Sequence, residues 1–383
     1  MATRRLTASA ARRARLDSQL LGGSDLTPAQ VVARAGALQG QDLAGVLRAI
    51  AVRSRPGTTL ESVREAFDRG EIVRSWPMRG TLFATTPEHL AGILASTGPR
   101  HLRSTAKRRV ELGLTDEVVV RARSVALERL ADRPFTRAEI LAAWAEAGIE
   151  SSGGRGYHLI AHLAIAGDAH WGPFARADRA GGEGAGSDRG GAGGPASGGI
   201  VTPPTEQLLT RTAEGARPQA VSDPAAALAR AIEAYVRARG PVTEADLQWW
   251  TKLPLSVLRP VASAVGELET VEADGVEAWV LPDDGEITRP KRPRALLAPA
   301  FDEIILGYQD RALVADPAMQ RAIVPGNNGV FRPVVLLDGR AVGTWKVPAS
   351  GAREPVAEMV EEVGPSALGL IDKALAAWPH RAG

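Results

Sequence analysis

The sequence predicts an α+β protein in which three mostly helical blocks precede a smaller strand-rich domain. Three observations carry this reading. Apolar residues recur at helical spacing between Thr-Pro and Thr-x-x-Glu starts over the first two thirds of the chain. Short alternating stretches with turn residues, at 72–84 and 268–281, interrupt those runs. From Arg294 onward the texture changes to ALLAP, VFRPVVLLDGRAVGTWKV and PVAEMVEEV, which read as strands.

Thr27, Pro28 and Gln30 make a capping box with proline at the first helical position, so a helix starts at Pro28 and carries Val31, Val32, Ala35 and Leu38 inward. Leu43, Val46, Leu47 and Ile50 repeat that spacing on a second helix. Thr58 and Glu61 form another capping box, opening a helix that buries Leu60, Val63, Ala66 and Phe67 and stops near Gly70. The 72–84 stretch then reads as two strands, and three helices followed by a hairpin is the order of a winged helix. Thr86–Pro87–Glu88 restarts a helix through Leu94, and His101, Arg103, Lys107, Arg108 and Arg109 fall on the next one.

Residues 115–170 repeat the plan with helices from Thr115 to Leu130, from Thr136 with Glu139 to Ala147, and from Arg155 to Ala166. Ten glycines in 177–199 cannot bury a core, so a mobile loop is expected where the second wing would fall. A third copy begins at Asp223–Pro224, continues through Val242–Trp250 and Pro254–Ala264, and ends in a hairpin turning at Asp274–Gly275. The remainder reads as a small, partly closed barrel with a turn at Asp338–Gly339 and a terminal helix from Ser366 to Trp378. The expected boundaries are 1–114, 115–205 and 206–290 for three winged-helix units, and 291–383 for the β-barrel-like domain.

Composition narrows the function classes. The 383 residues are 44% hydrophobic, enough for several packed units. Without an apolar run near eighteen residues or a signal-peptide core, a cytoplasmic protein is expected. Zero cysteines exclude disulfides, thiolate nucleophiles and Cys-ligated zinc. The net charge of +2 hides an asymmetry, because residues 1–114 hold 18 Arg and Lys against 9 Asp and Glu, a net of +9, which leaves −7 for the rest. A polyanion-binding module shows such a distribution; the arginine usage of a GC-rich genome is the plainer alternative.

Gln39–Gly40–Gln41 is the oddity between the first two buried helices, since a buried amide without partners costs a few kcal/mol. Taken with SWPMRGTLF, DLQWW, FDEIILGYQDR and LLDGRAVGTWK, the motif LQGQD resembles the bacterial winged-helix DNA-binding family that includes the AlkZ-like DNA glycosylases, in the same order along essentially the whole chain. The resemblance implies three tandem winged helices and a β-barrel in a C-shaped clamp around duplex DNA. It also implies a monomer that excises N7-alkylated purines without a cofactor or metal. Some members unhook interstrand crosslinks, and several protect a producer from its own genotoxic antibiotic. The family motif is two glutamines flanking a hydrophobic residue, or a glutamine and an aspartate at the same spacing. Gln39 and Gln41 match the first form and would be the catalytic pair, with Gly40 as a departure; Asp42 is wrongly spaced for the second form.

Amides suit this chemistry. An N7-alkylguanine is already cationic and leaves readily, so what remains is to hold a water near C1′ and to stabilise the oxocarbenium-like sugar. No lyase step is expected, as the first lysine of the chain is Lys107. For an isolated pair of glutamines, satisfied helix ends are the plainer reading. Arg79 reads equally as a phosphate contact or a structural ion pair, and Arg103, Lys107, Arg108 and Arg109 as DNA-backbone contacts or a solvated face, with Arg103 and Lys107 on one side. His158 and His162 lie four apart but lack the glutamate of a zinc protease motif. Trp249 and Trp250 read as packing, and Asp302, Glu303 and Asp310 near Arg311 as an ion-paired barrel edge. A non-catalytic winged-helix DNA-binding protein or transcriptional regulator is the alternative, and it would need a dimer and a palindromic site.

Overall fold

The computed structural model describes residues 3–175, 206–282, 285, 287–289, 291–348 and 354–378; the glycine-rich stretch at 177–199 lies outside them. The fold is mixed α+β. It divides into two compact units, one formed by the described residues of Met1–Val63 and Ala229–Gly383, the other by those of Arg64–Gly193 and Pro203–Leu228.

The chain opens with strand β1 (Arg4–Leu6) and helix α1 (Ala8–Ser18). Neither follows from the apolar pattern, because α1 turns Ala11, Leu16 and an arginine, Arg15, to the interior. Helix α2 (Pro28–Ala35) begins with the expected reciprocal box of Thr27 and Gln30. It ends earlier than expected. Gly36 takes φ +70, and a Cβ there would lie 3.2 Å from Ala234 Cβ, so the chain turns out of the helix at a position only glycine fills easily. Leu38 therefore sits on strand β2 (Ala37–Gln39), a distinction that one apolar residue cannot make in the sequence.

Helix α3 (Leu43–Arg53) is capped by Asp42, whose side chain accepts from the Ala44 N–H. Helix α4 (Leu60–Asp68) departs from the expected Thr58/Glu61 box. Thr59 and Ser62 cap it instead, the Ser62 N–H donating to Thr59 Oγ1 at 3.1 Å and the Thr59 N–H to Ser62 Oγ at 3.0 Å.

In the second unit, β3 (Val73–Met78) and β4 (Thr81–Thr85) form a hairpin, and helix α5 (Pro87–Ser104) runs well past the expected Leu94. Then come α6 (Ala106–Glu111), α7 (Asp116–Asp132), α8 (Arg137–Glu146), α9 (Arg155–Ile165), β5 (Ala169–Phe174) and β6 (Gln207–Arg211). Strands β4, β3, β5 and β6 lie side by side. Beneath them Ile140, Trp144, Leu159, Ile160, Trp171 and Leu209 join one apolar core. Arg123 closes its edge with two bonds to the buried Asp168, at 2.6 and 2.7 Å.

Helices α10 (Pro224–Arg239), α11 (Glu244–Thr251) and α12 (Leu255–Ala262) lead into hairpin β7 (Glu269–Ala273) and β8 (Val276–Val280). Its Asp274–Gly275 turn has φ 51° and 79°, the pair of positive values that a tight two-residue hairpin requires. Strand β1 joins the other edge of β7 in parallel. Strand β9 (Ala295–Ala298), helices α13 (Glu303–Leu306) and α14 (Pro317–Ile323), strands β10 (Val334–Leu337), β11 (Arg340–Lys346) and β12 (Val356–Met359), and helix α15 (Pro365–Ala376) complete the chain.

The expected barrel is instead an antiparallel sheet ordered β12-β11-β10-β9, with no pairing of β9 to β12 among the described residues. Four short strands are too few to close on themselves, so each face is covered by helices. Ile371, Leu375 and Trp378 pack on Leu297, Val335 and Trp345 on one side. Leu16, Ile304, Ile305 and Met319 meet Ala298, Val334 and Leu336 on the other.

The second unit carries an acid-labile element. Burial pushes the His170 imidazole down from 6.5 to about 4, while its Nδ1 lies 3.0 Å from Thr212 Oγ1. Burial lowers His101 and His162 in the same direction. A neutral buried imidazole binds protons less readily than the unfolded chain does, so its contribution is complete above pH 6.5 and is lost as pH falls toward 4. The thermal midpoint should therefore drop between pH 7 and pH 4.5, and the drop should be smaller in His170→Gln; equal drops in scanning calorimetry would refute this account.

Candidate active site

The turn from α2 into β2 and the loop from Gln39 to Asp42 are held from behind by two ion pairs in the same unit. Arg239, at the end of α10, donates from Nε to Glu303 Oε2 at 2.9 Å, from Nη1 to the Ala35 carbonyl at 3.0 Å and from Nη2 to the Ala37 carbonyl at 2.5 Å. The other oxygen of Glu303, Oε1, accepts the Gln39 backbone N–H at 2.6 Å. Arg239 and Glu303 have side chains only 1% and 3% exposed, so the pair is desolvated and its strength rests on these directed bonds.

The second pair stands beside the first. Arg53, from the last turn of α3, makes a two-pronged contact with Asp302 at 2.8 and 2.9 Å and donates to Gln19 Oε1 at 3.0 Å. Gln19 in turn donates to the Tyr308 hydroxyl at 3.0 Å, which donates to the Arg239 carbonyl at 2.8 Å. Burial pushes the Tyr308 phenol up to about 12, partly opposed by the Arg15 guanidinium 3.7 Å above its ring, so it stays a donor at neutral pH. Gln19, Arg53, Arg239 and Glu303 line a small cavity with Leu38 and Val31.

Within the loop the two glutamines differ. Gln39 is buried, and its side-chain carbonyl turns back to accept the N–H groups of Gly40 at 3.0 Å and Gln41 at 3.3 Å. Gln41 is exposed. The structure thus brings the pair together on one short loop, with Gln39 shaping it and Gln41 facing outward. Asp42 is occupied as the cap of α3. Gly45 in the next turn allows close approach, since a Cβ there would meet the Ala300 carbonyl at 2.6 Å.

The basic residues singled out in the sequence all lie in the other unit. Arg79 forms the tip of the β3–β4 hairpin with φ 60°, its guanidinium 5.4 Å from the Phe83 ring centre. His101 of α5 stands beside that tip, 3.7 Å from where a Gly80 Cβ would be. A one-residue interruption at Thr105, itself in the right-handed helical region, separates Arg103 on α5 from Lys107 on α6. Both are exposed. Arg108 pairs with Glu111 at 3.0 Å, and Arg109 donates to the Leu102 carbonyl and Thr105 Oγ1 at 3.0 Å, which gives it a structural task.

Other expectations are corrected by partners far away in sequence. Asp302 and Glu303 pair with Arg53 and Arg239, not with Arg311, and they lie behind the glutamine loop rather than at a barrel edge. Arg311 donates to the Ile305 carbonyl, and Asp310 accepts the Ala312 N–H. Trp250 is fully buried against Tyr235, ring centres 4.7 Å apart, while Trp249 is half-buried under the Lys252 ammonium. Among the described residues no group of three or more His, Asp or Glu could hold a metal. No described helix is long and apolar enough to cross a membrane.

Removing one partner of the Arg53–Asp302 pair should be costly. Asp302→Ala leaves the Arg53 guanidinium buried without its carboxylate, and a loss of about 3–5 kcal/mol is expected in denaturant unfolding. A change below about 1 kcal/mol would show that the pair is not what holds α3 in place.

Comparison with known proteins follows this geometry. The model of a family described as DNA glycosylase AlkZ-like matches residues 32–367. A curated protein of Streptomyces sahachiroi described as an interstrand DNA cross-link repair glycosylase is 33% identical over 132 residues, 33% of this chain and 35% of that protein, so the match spans about a third of the relative's length. The solved structure of the Streptomyces sahachiroi DNA glycosylase AlkZ superposes with a TM-score of 0.71 over 97% of both chains at 21% identity, a likeness of fold.

Proposed function

The chain belongs to the family of AlkZ-like DNA glycosylases, and from that premise we propose that it hydrolyses the N-glycosidic bond of N7-alkylated purines in duplex DNA. The observation that carries the reading is the loop on which a buried carboxylate holds the Gln39 N–H and the Gln39 side chain holds the N–H groups of Gly40 and Gln41, with Gln41 exposed at the surface. Alkylation at N7 makes the base a cationic leaving group, so the C1′–N9 bond breaks without a strong acid. Gln41 then orients a water toward C1′, and the amide dipoles of the loop stabilise the charge that develops on the sugar.

Three winged-helix units at 1–114, 115–205 and 206–290, with the β-rich domain at 291–383, belong to the same proposal. The enzyme acts as a cytoplasmic monomer on the duplex, using Arg79, Arg103, Lys107 and Arg108 for phosphates, while Arg109 shapes the helix behind them. Because a relative is described as an interstrand cross-link repair glycosylase, crosslinked purines are the second substrate to test.

Release of 7-methylguanine from methylated duplex DNA tests the reading. Gln41→Ala should lose at least about 100-fold in single-turnover rate, and Gln39→Ala, which removes the carbonyl that accepts two loop N–H groups, should lose activity and also about 1 kcal/mol of stability. Release by the double variant at the wild-type rate would overturn the assignment. Amides do not titrate, and the described part of this unit contains no histidine, so the rate should be flat from about pH 6 to 9. A steep limb centred near pH 6–7 would point to a different catalytic group.

The hairpin tip supplies an independent check. Arg79 sits in the left-handed region, which costs a non-glycine residue about 1 kcal/mol. Arg79→Gly relieves that strain and should weaken duplex binding and reduce its salt dependence by about one ion. Unchanged affinity would remove Arg79 from the interface.

A further inference from the structure

We propose that Glu303 is a positioning residue for this reaction, acting through the backbone of Gln39 to aim both amides, and that Arg239 holds it in register; this rests on the glycosylase reading above. The chain of contacts is continuous. Arg239 fixes the Ala35 and Ala37 carbonyls on either side of Gly36 and one oxygen of Glu303; the other oxygen fixes the Gln39 N–H; the Gln39 side chain fixes the N–H groups of Gly40 and Gln41. Gln41 is thus located by a continuous path that starts at a carboxylate 264 residues from Gln39 in sequence.

The central glycine explains why such an anchor is needed. Gly40 has no side chain to pack, and glycine loses more conformational freedom on ordering than any other residue. Directed bonds to the backbone take over. A carboxylate serves better here than a neutral group, because a charge-assisted bond to an N–H is shorter and about twice as strong, and this one measures 2.6 Å. Space around the pair is tight as well. A Cβ on Gly307 would lie 2.7 Å from the Glu303 backbone carbonyl, 3.0 Å from Glu303 Oε2 and 3.1 Å from Arg239 Cδ, so a methyl group would displace the Glu303 main chain and carboxylate together without altering any charge.

Glu303→Ala, Glu303→Gln and Gly307→Ala test the proposal, with three readouts: single-turnover release of 7-methylguanine, affinity for undamaged duplex, and hydrogen exchange of the Gln39 N–H. Loss of the acceptor in Glu303→Ala should slow release about 100-fold and speed Gln39 exchange at least about tenfold, with duplex affinity within about twofold. Glu303→Gln keeps an acceptor oxygen while removing the charge, so it should recover at least about tenfold of the lost rate although Arg239 has lost its ionic partner and the fold is weakened. Gly307→Ala should resemble Glu303→Ala in milder form and serves if that variant does not fold.

A merely structural role predicts the opposite order, with rate following stability and Glu303→Gln as slow as Glu303→Ala; that result, or a Glu303→Ala rate within about threefold of wild type, overturns the proposal. If the wild type releases no base, the glycosylase reading is what fails. Exchange at Gln39 then decides the anchoring alone, and an unchanged rate in Glu303→Ala and Gly307→Ala refutes it.

Discussion

A carboxylate and a guanidinium taken out of water together lose more hydration than their attraction returns unless every remaining donor and acceptor is used. Glu303 and Arg239 meet that condition by enlisting the main chain: two carbonyls around Gly36 on one side and the Gln39 N–H on the other. The pair therefore cannot exist without the α2–β2 turn, and the turn, which exposes the last carbonyls of α2, is satisfied by the pair. A guanidinium at that helix end also meets the negative pole of the helix. Arg53 and Asp302 do the same for the end of α3, with Gln19 and Tyr308 linking the two systems. Residues 302 and 303, adjacent at the start of α13, thus tie together the C-terminal ends of α2, α3 and α10.

Local signals were legible because their partners are local. The box at Thr27 and Gln30, the starts at Thr86, Thr115 and Thr136, and the turns at Asp274–Gly275 and Asp338–Gly339 each involve residues within a few positions of one another. The Gln39/Gln41 pair is marked in the sequence by a motif, and its neighbourhood is not. Arg239, Arg53, Glu303 and Asp302 look in sequence like ordinary surface charges, since nothing within a helical turn marks them as buried. Their partners lie more than sixty residues away in one pair and 249 in the other. The signal that could have found them is weak but physical: Asp302 and Glu303 immediately precede Ile304–Ile305–Leu306, an apolar run that must pull its first residues into the core.

The same logic explains the misplaced elements. Leu38 satisfies a helical period and a strand period alike, so only the positive φ at Gly36 decides between them, at a position where a Cβ would lie 3.2 Å from Ala234, a residue distant in sequence. Helix α1 was hidden by Arg15, which takes an apolar position because its guanidinium finds the Pro241 carbonyl at 3.0 Å and the Tyr308 ring. The barrel was inferred from strand content, which does not reveal that helices cover both faces of the sheet.

Placing the charge behind the loop instead of on it shapes the proposed reaction. A carboxylate at the position of Gln41 would stabilise a developing sugar cation more strongly and would lower the demand on the leaving group. With amides in front and Glu303 neutralised by Arg239, the field at the sugar comes from dipoles whose effect depends on orientation. On the proposed reading, orientation is what the buried pair would supply. Such a site would give enough stabilisation for a base that is already cationic and too little for an intact purine, so selectivity against normal DNA would arise from the weakness of the front groups and activity from the rigidity of those behind them.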